Sequence, residues 1–183
     1  EVGFDFATVR LAFDRLADEV RELAEALEKY EKGGDSLEHL CDETTDVIFG
    51  VINVLRHAGI DMQEVFPKIS TAPSQEEKSS LDVLLKEIQE AFRAFENGFQ
   101  SFESSETPTT AIVSAATALI QKAVDFVNAN DVQPDEVMKK NVNKYLVRCR
   151  FIEDQLQEEQ KTWRDISLDE IYVRWKQAKQ AGF

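Results

Sequence analysis

The chain has 183 residues, 43% of them apolar, with 21 Lys and Arg against 35 Asp and Glu and a net charge of -14. That length suits one domain or two small fused ones with a real core. The acidic balance argues against non-specific nucleic-acid binding and against an anionic membrane as partner, and leaves room for a small polyanion delivered with a metal.

Phe6, Val9, Phe13, Leu16, Val20, Leu23 and Leu27 follow steps of three and four, which predicts an amphipathic helix of about seven turns. It carries Asp18-Glu19-x-x-Glu22 and stops at Gly33-Gly34. Asp35 or Ser36 caps a second helix running to His57, with Leu40, Val47, Val51, Val54 and Leu55 inward, Glu43-x-x-Asp46 along it and Gly59 as the stop. Asp61-x-x-Glu64 reads as a capping box opening a third, short helix. Thr71 to Ser80 is linker-like. A fourth helix carries Leu81, Leu84, Leu85, Ile88, Phe92 and Phe95 and ends near Gly98. The Ser/Thr/Pro stretch from Ser104 to Thr110 separates it from a fifth, Ala111 to Val127. Pro134 opens a sixth reaching about Gln160. Ser167-x-x-Glu170 caps a last helix to about Gln180. No strand pattern occurs, so the expected fold class is all-α, a helical bundle.

The acids carry the chemistry. Glu19 and Glu22, and again Glu43 and Asp46, are spaced i,i+3, so each pair projects from one side of its helix. Two such helices packed face to face gather four carboxylates, which repel and resist desolvation unless a cation sits among them. Oxygen ligands at that density suit Mg²⁺ or Mn²⁺, ions that usually meet phosphates. A single acidic pair would read as a solvated face pairing with Arg15 or Arg21; two pairs that helix packing would bring together favour a site. Ten of the Lys and Arg lie from residue 139 onward. Among them Lys144 and Arg148, spaced i,i+4, form a basic stripe. His57 reads as a helix-end residue, His39 as a surface residue, and Trp163 and Trp175 as tail packing. Cys41 and Cys149 read as reduced packing residues of a cytosolic protein, and no apolar run approaches a membrane span. The start at Glu1 rather than Met suggests a trimmed or excised chain.

An internal repeat is also visible. Leu16 to Glu22 lies over Leu84 to Glu90, and Gly59 to Lys68 over Asp131 to Lys140. On this alignment Glu43 and Asp46 fall on Ala115 and Ala118, so the second copy lacks half of the acids. The expected organisation is therefore a first copy at residues 1–70 with the acidic metal site and a degenerate second copy at 71–183 with the basic helix, forming a pseudo-dimer within one chain.

Val2-Gly-Phe-Asp5, the E-x-x-E and E-x-x-D acids, Asn53 to Ile60, Lys140 to Glu153 and Ser167 to Lys179 together resemble the MazG family of all-α nucleoside triphosphate pyrophosphohydrolases. The resemblance implies that Glu19, Glu22, Glu43 and Asp46 ligate Mg²⁺ and that Lys144 and Arg148 contact the triphosphate, with Lys140 and Asn141 at a less cleanly matched position. It implies hydrolysis of a (deoxy)nucleoside triphosphate to the monophosphate and pyrophosphate, with Glu22 or Glu43 as general base. The expected role is clearing non-standard or surplus nucleotides in the cytoplasm, by a homodimer with no nucleic-acid or membrane partner. Asp18, Thr44-Thr45 and Phe6 depart from the family pattern, where Glu, Leu-Gly and Trp are usual; these bear on substrate preference. The competing expectations are a helical adaptor whose site has decayed and a specialised deoxyuridine nucleotide hydrolase of the same superfamily.

Overall fold

The computed structural model describes residues 8–70, 80–105, 110–130 and 132–183. Six α-helices dominate the described residues: α1 (Val9–Glu31), α2 (Leu37–His57), α3 (Leu81–Ser105), α4 (Thr110–Ala129), α5 (Pro134–Glu158) and α6 (Leu168–Gln180). Short 3-10 turns occupy Met62–Glu64, Phe66–Lys68 and Trp163–Asp165, and no strand occurs among the described residues. The fold is all-α, as the periodicity predicts. The Val2 to Asp5 motif, Phe6 and most of the Thr71 to Ser80 linker lie outside the described residues, as does the core of the Ser/Thr/Pro stretch.

The differences from expectation have local causes. Asp61 does cap, its carboxylate accepting from Gln63 N at 2.9 Å, yet the residues after it form a pair of 3-10 turns rather than a helix. Pro67 has no N–H to continue an α-helical ladder begun at Met62. The helix expected to end near Gly98 continues to Ser105. Gly98 is a contact residue instead of a stop: a Cβ there would stand 3.1 Å from Ile112 Cα. At the tail, Thr162 and Asp165 form a reciprocal capping box around the Trp163 turn, and Ser167 and Glu170 form the expected one at α6.

The chain divides into two compact units, one reaching Val137 and the other covering Met138 to Phe183. In the first, α1 packs on α2, α3 packs on α4, and contacts of α2 with α4 and α1 with α3 join the two pairs. Leu16, Leu23, Leu40, Leu55, Ile88, Phe95, Phe99 and Phe126 are fully buried there. Phe13 of α1 stacks on Phe99 of α3 with centroids 4.2 Å apart and planes 8° from parallel, and Phe92 and Phe95 flank the same ring. The Gln121 side chain clamps the Ser70 backbone, accepting from its N at 2.8 Å and donating to its O at 3.0 Å.

By length and composition α4 is apolar enough to cross a membrane, with a mean hydropathy of 1.3, which corrects the expectation that no run approaches that length. Half of that window is buried within the protein. Ile112, Val113, Ala116, Leu119, Ile120 and Ala123 form its buried face, so its hydropathy is that of a core helix with neighbours on more than one side.

In the second unit, Ile152 and Leu156 of α5 and Ile171 and Ala178 of α6 are buried. Tyr145 meets Trp175 at 5.3 Å, Phe151 meets Phe183 at 5.3 Å, and the Arg174 guanidinium reaches both carboxylate oxygens of Glu159 at 2.8 Å.

Candidate metal centre

The short Lys32 to Ser36 connection returns the chain so that α1 and α2 lie as neighbours. Ser36 caps α2 by accepting from His39 N at 3.1 Å. The two helices approach closely where Gly50 faces Leu16: a Cβ at Gly50 would sit 2.9 Å from Leu16 Cδ1 and 3.2 Å from Leu16 Cα. Glu19 lies almost one turn after Leu16 and Asp46 one turn before Gly50. In helices running opposite ways these are the same direction from the crossing, so the crossing sets the two carboxylates against each other.

Glu19, Glu43 and Asp46 each bring a carboxylate oxygen within 4.8 Å of the others. Glu19 is buried, only 7% exposed. Burial, opposed by Arg15 and reinforced by the charges of Asp46, Glu22 and Glu43, pushes its carboxyl up to about 7. Arg15 Nη2 lies 2.6 Å from Glu19 Oε1 and Arg15 Nη1 lies 3.7 Å from Glu22 Oε1. Three of the four expected acids therefore converge, and Glu22 stands beside them, half-exposed against the guanidinium. The pairing foreseen for a solvated face is also present: Arg15 takes Glu19 and Glu22, while Arg21 takes Asp18 and Glu25.

Glu43 is held from one side by a residue that its sequence context leaves on the surface. His39 Nε2 lies 2.9 Å from Glu43 Oε1 and its Nδ1 lies 2.8 Å from Asp35 Oδ2. The other carboxylate oxygen, Glu43 Oε2, is buried and accepts no hydrogen bond from the described residues. The D-x-x-x-H-x-x-x-E spacing was the available signal, since i,i+4 neighbours on a helix meet. Thr44 and Thr45, flanked by the two acids, are buried. Their hydroxyls donate to Leu40 O at 2.7 Å and Cys41 O at 2.8 Å, so the polar atoms of this departure from the family pattern are satisfied within α2.

The basic set lies on α5. Lys140 is exposed, Asn141 is buried, and Lys144 and Arg148 are half-buried. Arg148 Nε donates to Phe183 O at 2.8 Å, and its guanidinium lies over Trp175 at 5.3 Å. Trp163 Nε1 donates to Glu153 at 3.1 Å, the packing role expected of it. His57 closes α2 with its Nε2 3.2 Å from Arg56 Nη2. On the second helix pair, Glu87 meets Lys122 Nζ at 2.9 Å, and α4 carries alanine at 115 and 118.

Three carboxylates from two helices, one of them with a raised pKa, form a hard, anionic, oxygen-only donor set of the kind that Mg²⁺ or Mn²⁺ takes. The residues present fit such an ion. Residues 8–71 match the family model described as the MazG nucleotide pyrophosphohydrolase domain. No curated protein and no solved structure matches the chain.

Proposed function

We propose, from the match of residues 8–71 to the MazG nucleotide pyrophosphohydrolase domain, that this protein is a Mg²⁺-dependent enzyme converting (deoxy)nucleoside triphosphates to monophosphates and pyrophosphate. The observation that carries the reading is the convergence of buried Glu19 with half-buried Glu43 and Asp46 between α1 and α2. These three residues would hold the ion, which when bound supplies charge neutralisation for the phosphates and a more acidic water. Glu22 stands next to the trio and half in solvent, and we assign it the proton of the attacking water. The water oxygen bonds to the α-phosphorus, the bond from that phosphorus to the bridging oxygen breaks, and pyrophosphate leaves. Arg15 offsets the acids' mutual repulsion while the metal is absent. Lys140, Asn141, Lys144 and Arg148 are proposed as triphosphate contacts on the strength of the family resemblance and the i,i+4 stripe. The role proposed is removal of non-standard or surplus nucleotides, by a homodimer acting in the cytoplasm.

The test is a panel of NTPs and dNTPs with Mg²⁺, following pyrophosphate release; silence across the panel defeats the assignment. Glu43→Gln and Asp46→Asn should each lower kcat by at least about 100-fold, on the scale of losing a charged ligand at a transition-state charge, with helical content intact. A comparison of dUTP with dTTP decides whether the Thr44-Thr45 departure marks a deoxyuridine specialist.

One observation favours a second reading. Arg15 already neutralises Glu19 at 2.6 Å, which suits a helical interaction protein whose site has decayed. Failure of Mg²⁺ or Mn²⁺ to raise the melting temperature selects it.

A further inference from the structure

The start of α2 is built in an unusual way. A helix capped by serine commonly has Glu at the third helical position, reaching back to the N–H of the cap. Here Ser36 is the cap and the third position is His39. The N–H of Ser36 is taken instead by Asp35 Oδ1 at 2.7 Å, so residue 39 has no capping duty. Its ring is held at both nitrogens, by Asp35 Oδ2 at 2.8 Å and by Glu43 Oε1 at 2.9 Å. The positive end of a helix dipole gives a histidine in the first turn no stabilisation. The two carboxylates account for its place.

Glu43 belongs to the oxygen trio, with Glu19 and Asp46 within 4.8 Å. A free glutamate has several rotamers, and ordering one of them costs entropy when an ion binds. His39 removes that freedom beforehand by fixing one oxygen. We propose that Asp35 and His39 form a clamp that orients Glu43 for a divalent cation, His39 being a positioning residue and Asp35 the anchor that fixes its ring. The chain Asp35–His39–Glu43 runs from just before α2 along it, so Asp35 serves both the cap, through the Ser36 N–H, and the ion site, through His39. Outer-shell partners that hydrogen-bond a metal's ligands commonly tune affinity in this way, by about 10- to 100-fold. The inference rests on the metal-site reading above and adds to it the residue that sets affinity.

The experiment measures Mn²⁺ binding to the full chain by calorimetry and by the electron paramagnetic resonance of bound Mn²⁺, without nucleotide. His39→Ala should weaken binding by about 10-fold or more, with the metal-free melting temperature little changed because His39 is half in solvent. His39→Gln, which keeps an N–H donor within reach of Glu43, should restore most of the affinity, and Asp35→Ala should weaken binding less than His39→Ala. A substituted chain that melts early still reports through the ranking of Gln over Ala. Wild-type binding with equal affinity in His39→Ala overturns the clamp and leaves the metal site standing. No Mn²⁺ binding by the wild type overturns both.

Discussion

Glu19 is the residue whose chemistry is most distorted by its place. Its carboxyl titrates near 7 when folded against an ordinary 4.5, so between those values the folded chain holds a proton that the unfolded chain has released. Metal-free stability from this group is therefore fully present below about 4.5, falls as pH rises toward 7, and stays low above it. The loss is on the order of 3 kcal/mol at alkaline pH. Glu19→Gln removes it, so the metal-free variant should melt higher than the wild type at pH 8 and level with it near pH 5, as thermal denaturation at the two pH values will show. A wild type that outlasts the variant at pH 8 without metal would mean that Arg15 outweighs burial. Residue spacing made Glu19, Glu43 and Asp46 legible, because the i,i+3 rule concerns neighbours on one helix. It did not show which of the four acids would stand aside, which depends on how α1 is rotated against α2. Nor did it give His39, whose partners are visible only when the first turn of α2 is traced as a hydrogen-bond ladder.

At the scale of elements, the site depends on a close approach that a single glycine permits. Gly50→Ala puts a methyl group 2.9 Å from Leu16 Cδ1 and 3.2 Å from Leu16 Cα. The second of these is backbone, so the helices must separate. The expected cost is about 1–3 kcal/mol, with a larger proportional loss of Mn²⁺ affinity than in a remote substitution of equal stability cost, measured by calorimetry beside the melting curve. The order of the six α-helices was legible from apolar periodicity and caps, since these depend on local spacing, whereas the short helix expected after Asp61 is a pair of 3-10 turns. The ends were less so. Gly98 looked like a stop, because a glycine permitting close packing and one ending a helix are the same letter. The membrane-like apolarity of α4 likewise reflects neighbours that only the tertiary structure supplies.

For the molecule as a whole, the two helix pairs of the first unit treat their acids differently. α1 and α2 gather three carboxylates, whereas α3 and α4 retain Glu87 and meet it with Lys122 at 2.9 Å. The duplication read from the sequence is our proposal for this contrast, with a lysine on the second pair's acid where the first pair's acids would, on the proposed function, hold an ion. At a hundredfold excess over its dissociation constant an ion that binds only the folded form stabilises it by about 2.7 kcal/mol. Mg²⁺ should therefore raise the melting temperature by several degrees, and Glu43→Gln should abolish most of that rise.

Arg15 gives the chain an occupant of its own for the acidic point, one helical turn from Glu19 and supplied by the same backbone. On the proposed metal reading, loading the ion is a substitution at a finished address rather than an act of assembly. A chelator should strip catalysis while leaving the helices formed, and returning Mg²⁺ should revive turnover at the pace of ligand exchange, with no refolding phase in between.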